Sequence, residues 1–584
     1  MKKIVLLLAL FIGFIANAQT TFEWAKSIGG QNYDDANSIV LDAQGNVYVT
    51  GTIEKSFTNS QIDFDPGPGV YNINTPADLF GSIVGINGAF VLKLNAAGEF
   101  QWAKYFAGFN TKGNAIAVDS SGNVYTTGSF SYQCDFDPSP NSDFILNSTG
   151  QFGTEATDAY ISKLDTDGNF VWAKKIGALD IDAGAAITSD AVGNIYVTGK
   201  FAGIVNFNTN GGTNLLGAKD PITGNNLNSG FILKLNNNGD YIWAKNIVID
   251  FNQDINAVTV DNAGNVLVIG KFSSITDLDP GTPIFNVTGN GIYILKLDSN
   301  GNFIFAKGFV GNVNCNAIKV DSSGNIFTTG SFASVTDFDP STATFNLTPI
   351  YGNADVFIAK LDNLGNFVWA KKIHSTSRDN SRSLALDNQG SLYIAANIEN
   401  PNFKIDNSPT IVASTTNFKN MVILKFDATG VLLAKNVLGS GSTLEALGLV
   451  IDSNYYVHTC GSYQNTTDFN PDTPVFNLTS KGSLDTFISK MKLKNETLTI
   501  NENNLLKNIK LFPNPTSSKI NLNFDNNLEK AILKIISILG QTVLEKQNIS
   551  GNNLSLDVSS LSNGTYVVQL QEGSSISTSK FIKE

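Results

Sequence analysis

Seven copies of one short phrase constrain what this chain can fold into. Gly122-Asn123-Val124-Tyr125-Thr126-Thr127-Gly128 has counterparts ending at Gly51, Gly199, Gly270, Gly330, Ala396 and Gly461. The steps from Gly51 to Gly461 average about 68 residues, and self-similarity at a fixed period belongs to propellers and solenoids. One supersecondary unit stacked many times makes a scaffold, and scaffolds bind or display more often than they catalyse.

Each repeat carries four short β-type runs. In the second repeat these are Ala115 to Val118, Val124 to Phe130, Tyr160 to Leu164 and Phe170 to Lys174. Two hairpin signals join them, Asp119-Ser120-Ser121-Gly122 and Asp165-Thr166-Asp167-Gly168. Asp or Asn opening and Gly closing so short a loop suits a type I turn ended by a left-handed glycine. The first hairpin recurs at Asp42, Asp190, Asp261, Asp321 and Asp387 and loses its glycine after Asp452; the second recurs at Asn95, Asn236, Asp298, Asp362 and Asp427.

Four antiparallel strands per unit are the pattern of a propeller blade. The fourth strand, Phe100-Gln101-Trp102-Ala103-Lys104, has counterparts ending at Lys174, Lys245, Lys307, Lys371 and Lys435, while the seventh repeat stops at Leu493 without one. The missing copy is Phe22-Glu23-Trp24-Ala25-Lys26, near the other end of the chain. That phase shift predicts an all-β, seven-bladed propeller of four-stranded blades, its ring closed by the N-terminal strand. All five tryptophans (Trp24, Trp102, Trp172, Trp243 and Trp369) hold this same strand position, which places them in packing between blades rather than along a ligand groove.

Composition narrows the partners. A net charge of −12 and only two arginines, Arg378 and Arg382, argue against nucleic acid or an anionic membrane surface, both of which select basic patches. Lys2 and Lys3, the apolar run from Ile4 to Ile15, and Ala16-Asn17-Ala18 read as a signal peptide over residues 1–18, cut between Ala18 and Gln19. The apolar run is too short to span a bilayer, so no transmembrane segment is expected in the mature chain. Cys134, Cys315 and Cys460 fall in different repeats and read as buried free thiols rather than a disulfide framework.

The loop between the second and third strands carries its own motif. It is seen in the pairs Asp63 and Asp65, Asp135 and Asp137, Asp277 and Asp279, and Asp337 and Asp339, each split by an apolar residue and followed by proline. Asp468-Phe469-Asn470 is a weakened copy, and Asn206-Phe207-Asn208 has lost both charges. Paired carboxylates could supply oxygens to Ca²⁺, the one cofactor the sequence suggests; the alternative is a turn in which Asp caps backbone N–H groups. Two carboxylates fall short of the ligand number that Ca²⁺ takes. Histidine is confined to His374 and His458, in different repeats, so a catalytic triad or histidine metal centre is barely supplied, and an enzyme is not expected. A polysaccharide-acting enzyme and a structural surface component without a ligand are the alternatives to a binding or adhesion role.

After Leu493 the pattern breaks. Residues 494–508 form a polar, Asn-rich linker, and residues 509–584 hold six strand-like runs, read as a small β-sandwich. Phe512-Pro513-Asn514-Pro515, Ile538-Leu539-Gly540-Gln541, Leu561-Ser562-Asn563-Gly564-Thr565-Tyr566 and Lys580-Phe581-Ile582-Lys583 make this segment resemble the type A C-terminal sorting domain of the type IX secretion system. The resemblance implies passage through the periplasm and outer membrane of a Bacteroidota-type bacterium. It also implies the secretion machinery as a partner, and release or attachment at the surface. Residues 19–493, from about Phe22 onward, resemble the SBBP-type β-propeller repeats of bacterial surface proteins, which implies a fold and a location. A glycan or surface protein is the expected ligand, held by loops on the long-loop face.

Overall fold

The structure is a computed structural model. It describes residues 21–54, 61–74, 87–150, 155–217, 219, 224–248, 255–350, 352–400, 402–408, 410–412, 419–439, 442–472, 474–493, 509–537, 542–572 and 575–584. The signal segment with Ala18 and Gln19, and the linker 494–508, lie outside the described residues. The chain divides into two compact units, Met1–Asn495 and Glu496–Glu584.

In the first unit the strands of each repeat pair antiparallel in chain order. The third repeat is representative, with Ala183–Ser189, Ile195–Ala202, Asn228–Leu235 and Tyr241–Val248. Its second and third strands are buried along nearly their whole length, whereas the fourth alternates between buried and exposed positions. Such continuous burial requires both faces of a sheet to be covered, which neighbouring repeats provide. Between the first and second repeats no loop intervenes: Phe100–Val118 is one strand, serving both sheets through bulges near Gly108 and Lys112.

The recurring phrase owes its last glycine to a bulge. The first strand slips register opposite Gly51, Gly199 and Gly330, bringing its own carbonyls onto them. A Cβ on these glycines would meet the carbonyl oxygens of Asp35, Ala183 and Asn314 at 1.9–2.0 Å and press on the rings of Phe90, Phe231 and Phe357. The sixth repeat tolerates Ala396 at this place, where its cross-strand neighbour is Val422 instead of an aromatic residue.

Packing between repeats is equally regular. Trp102, Trp172, Trp243 and Trp369 donate their indole N–H to Thr166, Asn237, Ser299 and Ala428, carbonyls in the second hairpin of the following repeat. The left-handed glycine of that hairpin lies against the indole; a Cβ on Gly168 would sit 3.0 Å from Trp102. Lysines of the third strand reach the same carbonyls, with Lys93, Lys163, Lys234 and Lys360 at 2.8–3.1 Å. The strand Thr21–Ile28 pairs with Asp485–Lys492, Trp24 lies against Gly98, and Lys490 donates to Ala96 at 3.1 Å. None of the three cysteines forms a disulfide, and all are buried.

The second unit differs from the sequence expectation in its segmentation. The runs expected at 519–524 and 530–538 continue as one strand, Lys519–Ser537, and those at 541–544 and 554–558 as Thr542–Asp557. Their ladder runs through repeated bulges, so the intervening Asn-rich stretches bend the pair without ending it. Lys510–Phe512, Gly564–Glu572 and Ser575–Lys583 complete one five-stranded antiparallel sheet around a core that includes Leu522, Leu533, Val568 and Phe581.

Candidate functional site

Each long loop between second and third strands is a built excursion. It opens and closes with a short ladder, such as Ile275–Asp277 against Asn286–Thr288. The apolar residue between the paired aspartates anchors it, for Phe64, Phe136, Leu278, Phe338 and Phe469 are all fully buried. At the return, Tyr71, Phe144, Phe285 and Phe345 sit on Phe100, Phe170, Phe303 and Phe367, the first residues of the fourth strands, with ring centroids 4.8–5.3 Å apart. Phe476 makes this contact with Phe22 at 4.9 Å.

The sequence-selected aspartates occupy equivalent places in separate excursions and are not brought together. Asp63 Oδ1 accepts the N–H groups of Asp65 and Tyr71, and Asp65 Oδ1 accepts that of Gly67. Asp135 and Asp137, Asp277 and Asp279, and Asp337 and Asp339 repeat this pattern. In the third repeat Asn206 and Asn208 reproduce it with amide oxygens, Asn206 accepting from Asn208 and Asn214 and Asn208 from Asn210. The loop is therefore held without carboxylate charge. Among the described residues no three His, Cys, Asp or Glu side chains cluster as a metal site would require.

A second set of acids escaped the sequence reading. Asp34 and Asp379 begin the first strands of repeats one and six, and Asp182 immediately precedes that of repeat three; Asp485, Asp158 and Asp355 begin the third strands of repeats seven, two and five. All six are fully buried. They pair across repeat boundaries, as the charge of Asp485 acts on Asp34, that of Asp158 on Asp182, and that of Asp355 on Asp379. Burial pushes Asp34, Asp182 and Asp379 up to about 7 despite N–H donors such as Gly30, Ala178 and Ser375, and pushes Asp355 to about 6. The recurring signal was an aspartate eight positions before Asp42, Asp190 and Asp387.

The hairpin end has a different chemistry. Asp119 Oδ1 accepts the N–H groups of Ser121 and Asn123, while Oδ2 accepts Asn123 Nδ2 and the Tyr125 hydroxyl. The hairpin of Asp452 keeps its geometry although its glycine is gone, because Tyr455 adopts the left-handed conformation at φ 66°. His458 stands in the tyrosine position there, its Nε2 3.3 Å from Asp452 Oδ2. His374, which ends the fourth strand of the fifth repeat, faces the carbonyl of Asp406.

Two cavities open among the excursions. One of ≈ 440 Å³ is lined by Asp180, Ile181, Ala202, Asn225, Asn226 and Asn228, with Asn226 Nδ2 donating to Asp180 Oδ2 at 2.5 Å. Another of ≈ 370 Å³ lies beside Asp277 and Asp279 of the fourth repeat.

Comparison with known proteins resolves the class. Residues 510–584 match the secretion system C-terminal sorting domain, and residues 23–55 and 101–129 match the Beta-propeller repeat family SBBP. The chain thus carries β-propeller repeats and a C-terminal sorting domain of the type IX system, which exports it to the cell surface or outside. An uncharacterized WD repeat-containing protein of Acanthamoeba polyphaga mimivirus is 24% identical over 521 residues; the match covers 75% of this chain but only 36% of that relative. Among solved structures, Sqt1 from Chaetomium thermophilum (11% identity, TM-score 0.29) covers 64% of this chain and 82% of its own. An ACO/RPE65 chimera (8% identity, TM-score 0.26) covers 80% and 95%. Similarity at those scores carries no argument about fold or function. No helix among the described residues is long and apolar enough to cross a membrane.

Proposed function

We propose that the exported protein is a closed seven-bladed propeller that binds a glycan or surface-protein ligand through its long-loop side. Closure is supported by the seam, where Thr21–Ile28 pairs with Asp485–Lys492, Trp24 lies against Gly98 and Lys490 donates to the carbonyl of Ala96, as Trp102 lies against Gly168 and Lys93 donates to the carbonyl of Thr166 between the first and second repeats. The observation that carries the binding reading is the asparagine-lined cavity of ≈ 440 Å³ in the third repeat. Amides on a rigid scaffold suit hydroxyl-rich ligands, and binding residues concentrate on loops so held. The excursion carboxylates act as caps for backbone N–H groups, a reading supported by the amide substitutes Asn206 and Asn208. The role is adhesive or recognitive, not catalytic.

A glycan array probed with wild type and with Asn226→Ala and Asn228→Ala variants tests this. Retention of a glycan by wild type and its loss in the variants is expected; equal retention, or turnover of the retained glycan, would overturn the binder. Export is tested separately. A chain truncated at Asn508 should fold and remain in the periplasm.

A further inference from the structure

The buried acids occupy two places in the repeat, one beginning the third strand and one at the start of the next repeat's first strand. Acids fill both places of a boundary or neither. Asp485 is matched by Asp34, Asp158 by Asp182 and Asp355 by Asp379. Register puts Gly88 and Thr111, Gly291 and Val313, and Asn420 and Leu444 in these places at three other boundaries. At the last, Ser229 is matched in sequence by Gln253. Val313 and Leu444 show that the fold does not ask for acids here, yet no boundary carries one acid alone.

The two members of a pair are held differently. Asp34, Asp182 and Asp379 rest on backbone N–H groups, accepting from Gly30 and Glu54, from Ala178 and Ala202, and from Ser375 and Glu399. Their partners each have a lysine. Asp158 Oδ2 is 3.1 Å from Lys175 Nζ, and the charges of Lys372 and Lys481 act on Asp355 and Asp485. The other oxygen of each partner, Oδ1 of Asp158, Asp355 and Asp485, is buried and accepts no hydrogen bond among the described residues. Between the second and third repeats that oxygen looks across Gly177 at Asp182. A Cβ on Gly177 would lie 2.6 Å from Asp158 Oδ1 and 2.8 Å from Asp182 Oδ2. Gly29 leaves the same opening at the seventh-to-first boundary, where a Cβ would lie 2.6 Å from Asp485 Oδ1.

One lysine per pair answers one carboxylate, and a second charge in so dry a place is left uncompensated. A proton on the first-strand aspartate removes that charge. The remaining neighbours do not change the balance: Asp35 and Asp180 add negative charge to Asp34 and Asp182, and the phenols of Tyr105 and Tyr463 face the first pair. Burial, with the facing carboxylate added, pushes Asp34, Asp182 and Asp379 up to about 7. We propose that the three acid pairs are proton-operated latches: each closed boundary keeps one proton between its two aspartates, opening releases it, and a rise toward neutral pH therefore loosens these three boundaries and no others. At the seventh-to-first boundary the inference rests on the closed-ring reading above; at the other two it stands without it.

Amide hydrogen exchange of the full chain, read as protection factors at about pH 5 and about pH 7, tests it. Protection of Asp158–Leu164 with Ala183–Ser189, and of Asp355–Leu361 with Asp379–Leu386, should fall by about tenfold or more across that range. Gly291–Leu297 and Val313–Val320, at a boundary without acids, should keep theirs. Asp182→Asn, neutral at every pH, should abolish the fall at its own boundary and leave that at the fifth-to-sixth boundary intact. Asp158→Asn removes the facing charge and frees Lys175 to answer Asp182, so the fall should shrink by about threefold or more. An undiminished fall in Asp158→Asn would mean that the acids titrate alone, and an equal fall at the acid-free boundary would mean that the whole ring loosens; either would overturn the latch. If a variant of this pair does not fold, Asp355→Asn and Asp379→Asn give the same reading at the other boundary. Falls at these two boundaries with none at the seventh-to-first would leave the latch standing and sink the closed ring.

Discussion

Aspartate marks both ends of the repeat sheets, yet Asp261 and Asp298 at one end and Asp34, Asp182 and Asp379 at the other shift in opposite directions. At the hairpin end, the backbone and side-chain N–H groups of Asn302 hold Asp298 below the usual carboxylate range. Burial pushes Asp261 up, but donation from Asn265 and Lys296 outweighs it and the net shift is downward. At the excursion end, burial dominates for Asp34, Asp182 and Asp379, and a second carboxylate from the adjacent repeat adds to it. The same residue type thus serves as a solvated cap at one end and a buried proton holder at the other. What decides is the company: several donors near water in one case, few donors and a like charge away from it in the other.

The largest expected effect tests whether the hairpin end really fastens neighbouring repeats. Trp243→Ala removes an indole wedged under Gly301 and should cost about 3–5 kcal/mol in denaturant unfolding. Tyr71→Ala on the excursion, a residue that stacks on Phe100 and is 40% exposed, should cost clearly less. Similar losses from the two would erase the contrast. Next in size, Asp119→Ala strips the caps from two N–H groups and the Tyr125 hydroxyl, a loss of about 1–3 kcal/mol.

A pH series sharpens the contrast further. The raised acids contribute stability that is complete below their unfolded value of 3.8 and is lost as pH rises through about 7. The depressed hairpin acids contribute stability present above 3.8 and lost as pH falls through their lower folded values. The melting temperature should therefore peak in acid and decline as pH rises from about 4 to about 7. Asp34→Asn combined with Asp182→Asn should flatten that decline whatever it does to the height of the curve; an unaltered slope would mean the interior acids do not titrate there. The smallest expected effect is none at all. Chelator should leave the melting curve unchanged, and a drop restored by Ca²⁺ would assign the excursion aspartates to a metal instead.

Turn chemistry made the hairpin end legible from sequence. Asp42, Gly45 and Asn46 act within five residues of one another, so their pattern survives in a linear reading. The buried phenylalanine of each excursion was legible for the same reason. The acid pairs were not, because Asp34 meets Asp485 only after the chain has returned from the seventh repeat. The glycine in the recurring phrase was visible, but its cause, a carbonyl arriving from a slipped strand, depends on register across the sheet. In the second unit, four runs read as separate strands although the ladder continues through the residues between them.

The pairing of Thr21–Ile28 with Asp485–Lys492 also sets the order of events during folding. The paired residues run from Thr21 with Lys492 to Ile28 with Thr486, 458 to 471 positions apart, the highest sequence separation of any ladder among the described residues. Loop-closure entropy grows only logarithmically, by about 0.6 kcal/mol per doubling, so the distance costs little at equilibrium. Kinetically it matters more, since contacts of long separation form late. Until the two strands meet, Asp485–Lys492 shows an unpaired edge able to capture a strand from another chain. Intermolecular exchange at this ladder is therefore the misassembly to look for when the protein is concentrated before it has finished folding.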